Sequence, residues 1–349
     1  MWTPLNEITK AKGYSMATIK QVSELSGVSQ ATVSRVINGS SRVSHDKKLR
    51  VEKAIQELDY RPQSIAHSAA LNRSGSIGLV IPELAGPYYG NIMSTIEETL
   101  RPLGYQLMVT AGGQSVQSEQ MAVEFLLSRR VDALLLYTSY LSDDYLIELS
   151  EQKLPVVVLS RSIPELHNSC IEMDDELGGK SATKHLIELG HRRIACITGP
   201  LSKPDARARL QGYRTVLEEA NIAYDSRLVV EAGFTELTGA KAMEKLLNRN
   251  LDFSAVFCCN DLMAIGAIET LNEQEEPLDK PISIMGFDNI IFSQYVTPAL
   301  STIHYPIEKM SVEAVHLLLQ KLNKKKPDVQ FKFTPTLVVR ESTMALAPL

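Results

Sequence analysis

The sequence predicts an all-α helix-turn-helix segment followed by a larger α/β region of two doubly wound parallel-sheet lobes. Two observations predict this division. Residues 18–38 read as two short amphipathic helices around a Ser-Gly-Val turn, and from Ser76 onward short β-branched strands alternate with amphipathic helices. The chain has 349 residues, 44% of them hydrophobic, and is therefore long enough for two or three hydrophobic cores.

The first helix of the predicted helix-turn-helix has one apolar stripe. Ile19, Val22 and Leu25 recur at three-residue steps, so we expect them to pack inward. Gly27 can adopt the positive φ that ends this helix, and Ser29 is a suitable N-cap for the second helix.

The second helix has an outer face of small, polar and basic side chains. With Val33, Val36 and Ile37 facing the first helix, the side chains left outside are Gln30, Ala31, Thr32, Ser34, Arg35 and Asn38. Short side chains allow close approach to a DNA major groove, and Gln, Arg and Asn can hydrogen-bond to base edges. An ordinary αα-hairpin is the alternative interpretation.

A third helix and a short joint follow. Ser44 is a suitable N-cap for a helix over 46–58, whose predicted apolar positions are Leu49, Val51, Ile55 and Leu58. After Tyr60, Pro62 suits the first turn of a short helix that the Ala-rich residues 65–71 would complete.

These motifs resemble a known family. VSQATVSRVINGSSRVS, followed by ELDYRP and a short segment before SGSIGLVIP, is similar to the lactose and galactose repressor family of bacterial transcription regulators. The later segments NSCIEMDDELGGKSATKHLIELGH and ISIMGFDN look closest to its galactose-repressor branch. The resemblance covers about residues 17–342. It implies a homodimer in which each protomer has a DNA-binding headpiece, a hinge helix that enters the minor groove and a two-lobed effector domain similar to periplasmic sugar-binding proteins. The implied partners are double-stranded operator DNA and a small-molecule effector, expected to be a sugar.

The resemblance also implies a division of the chain and a set of DNA contacts. The expected segments are an extension over 1–15 that we expect to be disordered, a headpiece over 16–61, a hinge helix and linker over 62–75, a first lobe over 76–173 and 304–326, and a second lobe over 174–303 and 327–349. The expected DNA-binding residues are Thr18, Lys20, Ser29, Gln30, Ala31, Thr32, Ser34, Arg35, Asn38, Ser44, Tyr60, Ile65, Ala66 and Ala69.

The hinge departs from the family pattern at Ala69. Relatives usually have a leucine there that wedges between base pairs, whereas Ala69 has only a methyl group. A smaller wedge unstacks the duplex less, so we expect a weaker or straighter operator complex than is typical of the family.

The strand pattern locates a candidate ligand site. Strands are predicted at 77–81, 106–110, 133–137 and 156–159 in the first lobe and at 193–198, 228–231, 255–258 and 283–287 in the second. Ligands of open parallel sheets bind beyond the carboxyl ends of the strands. The residues expected there are Tyr88, Tyr89, Tyr137, Ser160, Arg161 and Asp174 in the first lobe region, and Arg209, Phe234, Asn260 and Asp288 in the second.

A sugar suits this set of side chains. Aromatic rings stack on the C–H face of a sugar, while carboxylate, amide and guanidinium groups satisfy its hydroxyls. The resemblance to the galactose-repressor branch implies that this sugar is a hexose or hexoside. By resemblance, Arg209, Asn260 and Asp288 match effector-contacting positions of the family, and Phe234 matches its stacking aromatic. A structural salt bridge across the cleft is the alternative for Arg209 and Asp288.

Charge is unevenly distributed. The net charge is −5, but residues 16–75 hold nine Lys/Arg against five Asp/Glu, whereas residues 76–349 hold 25 against 35 and carry −10. A basic headpiece can contact phosphates while the acidic remainder avoids non-specific binding to DNA.

Other classes of protein are not favoured. There is no apolar run of membrane-spanning length and no signal-peptide core, so we expect a cytoplasmic protein. The four cysteines form no CxxC pair and are expected to be buried free thiols, and no metal site or cofactor is predicted. Gly179-Lys180-Ser181 resembles a P-loop ending, but the glycine required earlier is Asp174, so a helix N-terminus is the better interpretation.

Three functions remain to be compared. A nucleotide-binding enzyme would account for the sheets, but no catalytic motif is present, so we expect no enzyme activity. A sugar-binding receptor without a DNA role would account for the lobes only and would need a signal peptide. A ligand-responsive repressor accounts for both parts of the chain.

Overall fold

The computed structural model describes residues 17–37, 43–60, 73–274 and 281–346. The chain divides into two compact units, one ending at Gly75 and one beginning at Ser76. The predicted extension over 1–15 lies outside the described residues, as do Asn38 and the hinge positions Ile65, Ala66 and Ala69.

Within the described residues of the first unit there are three helices, α1 (Ile19–Ser26), α2 (Gln30–Ile37) and α3 (His45–Glu57). Thr18 caps α1 reciprocally, because its Oγ1 accepts from Gln21 N at 3.3 Å while its own N–H donates to Gln21 Oε1 at 2.7 Å. Gly27 ends the helix with φ 64°, and Ser29 Oγ accepts from Thr32 N at 3.3 Å. The predicted turn and N-cap are therefore confirmed.

Val22, Val33, Val51 and Ala54 form the buried core of this unit. Two predicted core positions are wrong, because Leu25 is 47% exposed and Leu49 is 52% exposed. In α1 the residue buried beside Val22 is Ser26, four positions later, and not Leu25, three positions later. Leu49 lies two residues before Val51, about 200° around the helix, and so points away from the core. Ser44 has extended backbone angles before α3, but its side chain makes no capping hydrogen bond.

The second unit contains two parallel sheets with helices on their faces. Their strands are β1 (Ser76–Ile81), β2 (Gln106–Ala111), β3 (Ala133–Leu136), β4 (Val156–Leu159), β5 (Cys170–Met173), β6 (Ile194–Thr198), β7 (Val229–Glu231), β8 (Ala255–Cys258), β9 (Ser283–Met285) and β11 (Lys332–Phe333). The first sheet has the order β11-β5-β4-β3-β1-β2, and the second has the order β7-β6-β8-β9. We refer to these sheets and the helices on them as the first and second lobes.

In the described part of the chain, eight α-helices pack on these sheets, four in each lobe. Those of the first lobe are α4 (Pro87–Leu100), α5 (Val116–Ser128), α6 (Asp143–Glu151) and α11 (Ile307–Leu322), and those of the second are α7 (Asp175–Glu188), α8 (Pro204–Glu219), α9 (Glu236–Leu247) and α10 (Asp261–Asn272). A short antiparallel pair, β10 (Thr302–His304) and β12 (Thr336–Val338), joins two of the segments that cross between the lobes.

The eight predicted strands all occur within two residues of their expected bounds, but β5, β10, β11 and β12 were missed. β11 pairs in parallel with β5, with Phe333 opposite Met173, so residues 332–333 belong to the first lobe. The expected boundary that gave all of 327–349 to the second lobe is therefore wrong, and the last crossing follows Phe333. A two-residue strand is too short to show a hydrophobic period in the sequence.

Close packing between α7 and α8 explains the glycine of the P-loop-like segment Gly179-Lys180-Ser181. A Cβ on Gly179 of α7 would lie 2.2 Å from the carbonyl oxygen of Arg209, and a Cβ on Gly212 of α8 would lie 2.2 Å from that of Glu176. Asp174 caps α7 by accepting from Leu177 N at 2.9 Å, which fits the predicted helix N-terminus. The four cysteines are free and buried. Among the described residues, no helix is both long enough and apolar enough to span a membrane.

Candidate ligand cleft and nucleic-acid interface

A cleft lies between the lobes, beyond the carboxyl ends of strands from both sheets. Seven of the ten predicted ligand residues line it, namely Tyr88, Tyr89, Tyr137, Arg209, Phe234, Asn260 and Asp288. Sequence reasoning missed further lining residues, among them Glu83, Gln114, Ser139, Lys203, Asp205, Thr235 and Ile290. They lie in loops and first helical turns after strands, where the sequence shows no periodic pattern.

The wall from the first lobe is a cluster of tyrosines. Tyr88 and Tyr137 share a hydrogen bond between their hydroxyls at 3.2 Å, and the ring of Tyr89 is edge-on to both. Tyr305, from the segment between β10 and α11, completes the cluster at 5.8 Å from Tyr88. Burial raises the pKa of the Tyr88 and Tyr137 hydroxyls well above the ordinary value, so both remain neutral hydrogen-bonding groups.

Arg209 of α8 organises the charged part of the cleft. Its Nε lies 2.9 Å from Asp175 Oδ1, and its Nη1 lies 2.6 Å from Cys259 O and 3.4 Å from Asp288 Oδ1. The guanidinium also stacks on Phe287, 3.8 Å from the ring centroid. Arg209 thus lines the cleft and also forms the buried salt bridge that was its alternative interpretation, whereas its contact with a ligand stays a prediction.

Burial and the neighbouring charges change the pKa of each charged group in this network. Burial raises the pKa of Asp175 to about 6, although the Arg209 charge acts in the opposite direction. Burial likewise raises the pKa of Asp288 well above its ordinary value. Burial alone would lower the pKa of Arg209, but the neighbouring carboxylates outweigh it and raise that pKa, so the guanidinium stays charged.

Two cleft residues have backbones in the left-handed region. Asp288 has φ 106° and Phe234 has φ 65°, which is unusual for side chains other than glycine. Such strain occurs mostly where function requires a particular side-chain position. Asn260 fixes the loop of Phe234, because its Nδ2 donates to Phe234 O at 3.0 Å while its Oδ1 caps α10 by accepting from Met263 N at 2.9 Å.

Three predicted ligand residues lie outside this cleft. Ser160, Arg161 and Asp174 line a separate depression on the surface. The Ser160 hydroxyl is bonded to that of Tyr305, and Arg161 donates to Leu141 O at 2.7 Å. Asp174 caps α7 and lies 3.2 Å from Lys332 Nζ. Tyr305 and Leu141 therefore hold the Ser160 and Arg161 side chains outside the cleft.

Two buried carboxylates that the sequence analysis missed support the cleft. Glu119 of α5 is fully buried and accepts three backbone hydrogen bonds from residues 139–141. Asp261 of α10 accepts from Thr302 Oγ1 at 2.6 Å and from Ile290 N at 2.9 Å. Asp261 therefore links the cleft wall at Ile290 to the crossing strand β10.

The outer face of the helix-turn-helix is available for contact with another molecule. Among the predicted DNA-binding residues, Thr18, Lys20, Ser29, Gln30, Ala31, Arg35 and Ser44 are exposed, and Thr32, Ser34 and Tyr60 are half-buried. Gln30, Ala31 and Arg35 lie on α2 away from the buried Val33. Among the residues the structure describes, no group of three or more His, Cys, Asp or Glu could hold a metal ion.

Comparison with known proteins identifies the family. The family model for bacterial regulatory proteins of the lacI family matches residues 18–63, and that for a periplasmic binding protein-like domain matches residues 183–343. The HTH-type transcriptional regulator GalR of Escherichia coli (strain K12) is 39% identical over 328 residues, which cover 94% of this chain and 96% of that protein. The chain belongs to the LacI family. The PurR repressor of Haemophilus influenzae (strain Rd) is 35% identical over 336 residues, covering 95% and 100% of the two chains.

Solved structures agree with this membership. The lac repressor dimer bound to operator and the anti-inducer ONPF matches this LacI-family chain with a TM-score of 0.83 and 30% identity, covering 95% of this chain and 100% of that one. A complex of the transcriptional regulator CelR with cellobiose matches with a TM-score of 0.69 and 33% identity, covering 94% and 100%. The resemblance and the fold class inferred from the sequence are confirmed. The chain is a DNA-binding transcription regulator, and its relatives are regulators rather than enzymes.

Proposed function

We propose that this LacI-family regulator is a sugar-responsive repressor of carbohydrate-utilisation genes, switched by a hexose or hexoside bound between the two lobes. The observation that carries the proposal is the composition of the cleft. Tyr89 and Phe234 supply aromatic surfaces, whereas Asp288, Arg209 and Asn260 supply charged and amide groups beside them. A pocket with both kinds of group suits a ligand that has a C–H face and several hydroxyls.

Two relatives support a sugar as the ligand class. The CelR structure contains cellobiose, and a LacI-family regulator from Enterococcus faecium that is 27% identical contains ribose. A sugar-binding receptor without a DNA role is disfavoured, because residues 18–63 match the DNA-binding part of the family and the outer face of α2 is exposed. We further propose that the protein acts as a homodimer in the cytoplasm, where operator DNA is accessible.

The proposed switch is a coupling between two binding sites. The segments that cross between the lobes, including β10, lie behind the cleft, and Asp261 bonds to both Thr302 of β10 and Ile290 of the cleft wall. A ligand that favours one arrangement of the lobes changes the equilibrium between them. The sugar changes the free energy of operator binding by the same amount by which the operator changes the free energy of sugar binding.

A thermal-shift screen of common sugars with the full-length protein tests the ligand class, because a ligand that binds the folded state raises the unfolding temperature. A gel-shift assay on operator duplex with and without each stabilising sugar then tests the switch. The proposal predicts that at least one hexose or hexoside both stabilises the protein and changes operator affinity. A panel in which no sugar does either would contradict it.

A further inference from the structure

A cluster of lysines lies at the end of α11, on the opposite side of the first lobe from the cleft. Lys321, Lys324, Lys325 and Lys326 line one shallow depression, together with Asn168 and Phe331. We call these four residues the α11 lysine cluster. Within the described part of the chain none of them forms an ion pair, and residues 320–331 contain one acidic residue, so that this segment carries +3. Three of the four are exposed, whereas Lys321 is half-buried.

The direction of α11 fixes the position of the cluster. The helix begins at the carboxyl edge of the first sheet, where Glu308 Oε1 accepts from Asn91 Nδ2 of α4 at 3.2 Å. It therefore ends at the amino edge, and Asn168, which borders the depression, comes two residues before the start of β5. The cluster lies at the amino edge of the sheet, close to the start of β5.

β1 begins at that same edge. Ser76 O accepts from Asp132 N at 2.7 Å, just before β3 starts. β5 and β1 are three strand positions apart, which corresponds to about 14 Å. The chain thus enters the second unit, at Ser76, on the edge of the first lobe that carries the cluster.

A general preference for basic residues at helix ends does not account for the cluster. In the second lobe α8 ends at Glu218 and Glu219, and Glu273 follows α10 directly. The region from residue 76 onward carries −10 overall, so four lysines in six residues are a local reversal of charge. Such a reversal lowers electrostatic repulsion where an acidic body meets a polyanion.

The chemistry of the cluster suits a phosphate backbone more than a small anion. Small anions are usually held by directed backbone N–H groups, but those of Lys324, Lys325 and Asp328 already donate to Lys321 O, Gln320 O and Gln320 Oε1. The remaining donors are lysine ammonium groups, which are mobile point charges. Such groups neutralise phosphates without reading sequence.

We propose that the α11 lysine cluster contacts phosphates of the DNA that flanks the operator. The inference rests on the proposed function, since it requires that the helix-turn-helix unit bind an operator. It assigns the first lobe a direct, sequence-independent share of DNA affinity. Because two protomers of a dimer would contact the two flanks, long DNA should be bound more tightly than the operator alone.

The test compares two duplexes and two triple variants of the full-length protein. The operator is first selected from random sequence, and then prepared as a short duplex and as a long duplex extended by about two helical turns on each side. The test variant is Lys324→Gln/Lys325→Gln/Lys326→Gln. The control, Lys184→Gln/Lys241→Gln/Lys245→Gln, removes the same charge from exposed positions on the second lobe. Affinity is measured by fluorescence anisotropy over a range of salt concentrations.

We expect the wild type and the control to bind the long duplex at least ~10-fold more tightly than the short one at low salt, and with a salt slope that is steeper by about 0.9 for each added contact. The test variant should bind both duplexes with the affinity of the short one. An unchanged preference for the long duplex in the test variant, or its equal loss in the control, would overturn the proposal. Absence of binding to either duplex would instead refute the proposed function.

Discussion

Arg209 Nε and Asp175 Oδ1 form a buried ion pair at 2.9 Å, with the Arg209 side chain 4% exposed and that of Asp175 10% exposed. Removing one member of such a pair leaves the other charge buried and unpaired, which typically costs about 3–5 kcal/mol. Because Arg209 also faces Asp288 across 3.4 Å, the same guanidinium serves both the fold and the cleft. Substitution of Arg209 therefore tests stability and ligand binding together, whereas Asp288 separates them.

The first prediction is that Asp288→Asn lowers sugar affinity and leaves the operator affinity of the ligand-free protein unchanged. Arg209 keeps its shorter bond to Asp175 in this variant, so the fold should be retained. Loss of a charged hydrogen-bonding partner for the sugar should cost roughly 2 kcal/mol of binding free energy. Isothermal calorimetry measures the change, with Asp143→Asn outside the cleft as the control. Equal sugar affinity in the two variants would move the ligand site elsewhere.

The cleft shows what sequence patterns can and cannot locate. Arg209, Asn260 and Asp288 were predicted because they follow strands whose period is clear, and because their motifs resemble those of the family. Ser160 was predicted by the same rule, but the rule does not show that its hydroxyl is bonded to that of Tyr305, which is 145 residues away in the sequence. Contacts between distant segments are not displayed by a single sequence.

Glu119 and Asp261 illustrate a second limit. Both lie on helices where a carboxylate would ordinarily face solvent, and their partners are backbone N–H groups and, for Asp261, also the Thr302 hydroxyl of other segments. No periodicity or spacing marks such bonds in advance. The helix-turn-helix was easier to predict because its caps and core contacts are local, and even there α1 buried Ser26 rather than Leu25.

The second prediction concerns pH. Burial raises the pKa of Asp261 to about 7, against the opposing effects of its bonds to Thr302 and Ile290. The folded state therefore holds a proton that the unfolded state releases near pH 4, so the contribution of Asp261 to stability is greatest below that pH and falls as pH rises to about 7. The fall should be about 1 kcal/mol per pH unit. Above pH 7 it should level off.

Asp261→Asn should remove this dependence, because asparagine can donate to Thr302 Oγ1 and accept from Ile290 N as a neutral carboxyl group does. The thermal midpoints of the wild type and this variant are compared from pH 5 to pH 8. We expect the thermal midpoint of the wild type to exceed that of Asp261→Asn by a margin that shrinks as the pH rises from 5 to about 7. The exposed Asp252→Asn variant controls for the loss of a negative charge. A difference that grows with pH would show that Asp261 is ionised when buried.

The third prediction concerns the outer face of α2. Arg35→Ala should cost about 1–3 kcal/mol of operator binding if Arg35 contacts a base or a phosphate. Exchange of Gln30 and Ala31 for other polar residues should change which operator is chosen more than how tightly any DNA is held. Selection from randomised duplexes measures the preference, with Glu24→Gln on α1 as the control. A double variant that selected the wild-type sequence would show that residues 30 and 31 do not read bases.

The fourth prediction concerns Glu119, which holds a loop of the cleft. Its Oε1 accepts from Ser139 N at 2.9 Å, and its Oε2 accepts from the N–H groups of Tyr140 and Leu141 at 2.9 and 2.8 Å. Gly112 leaves room for it, because a Cβ there would lie 2.8 Å from Glu119 Cγ. Tyr137 and Ser139 line the cleft, so the carboxylate fixes part of the ligand site without lining it.

Glu119→Gln keeps the size of the side chain but places an amide donor against at least one backbone N–H. We expect it to lower the free energy of unfolding by about 1–3 kcal/mol, because a buried donor is left without an acceptor. Hydrogen exchange of the amides of residues 139–141 should accelerate and sugar affinity should fall, whereas Glu124→Gln on the exposed face of the same helix should change neither. If exchange at 139–141 were as slow in Glu119→Gln as in the control, the carboxylate would not be what holds this loop. Weaker sugar binding without faster exchange would also contradict the assignment, since the loop must loosen before Tyr137 and Ser139 can shift.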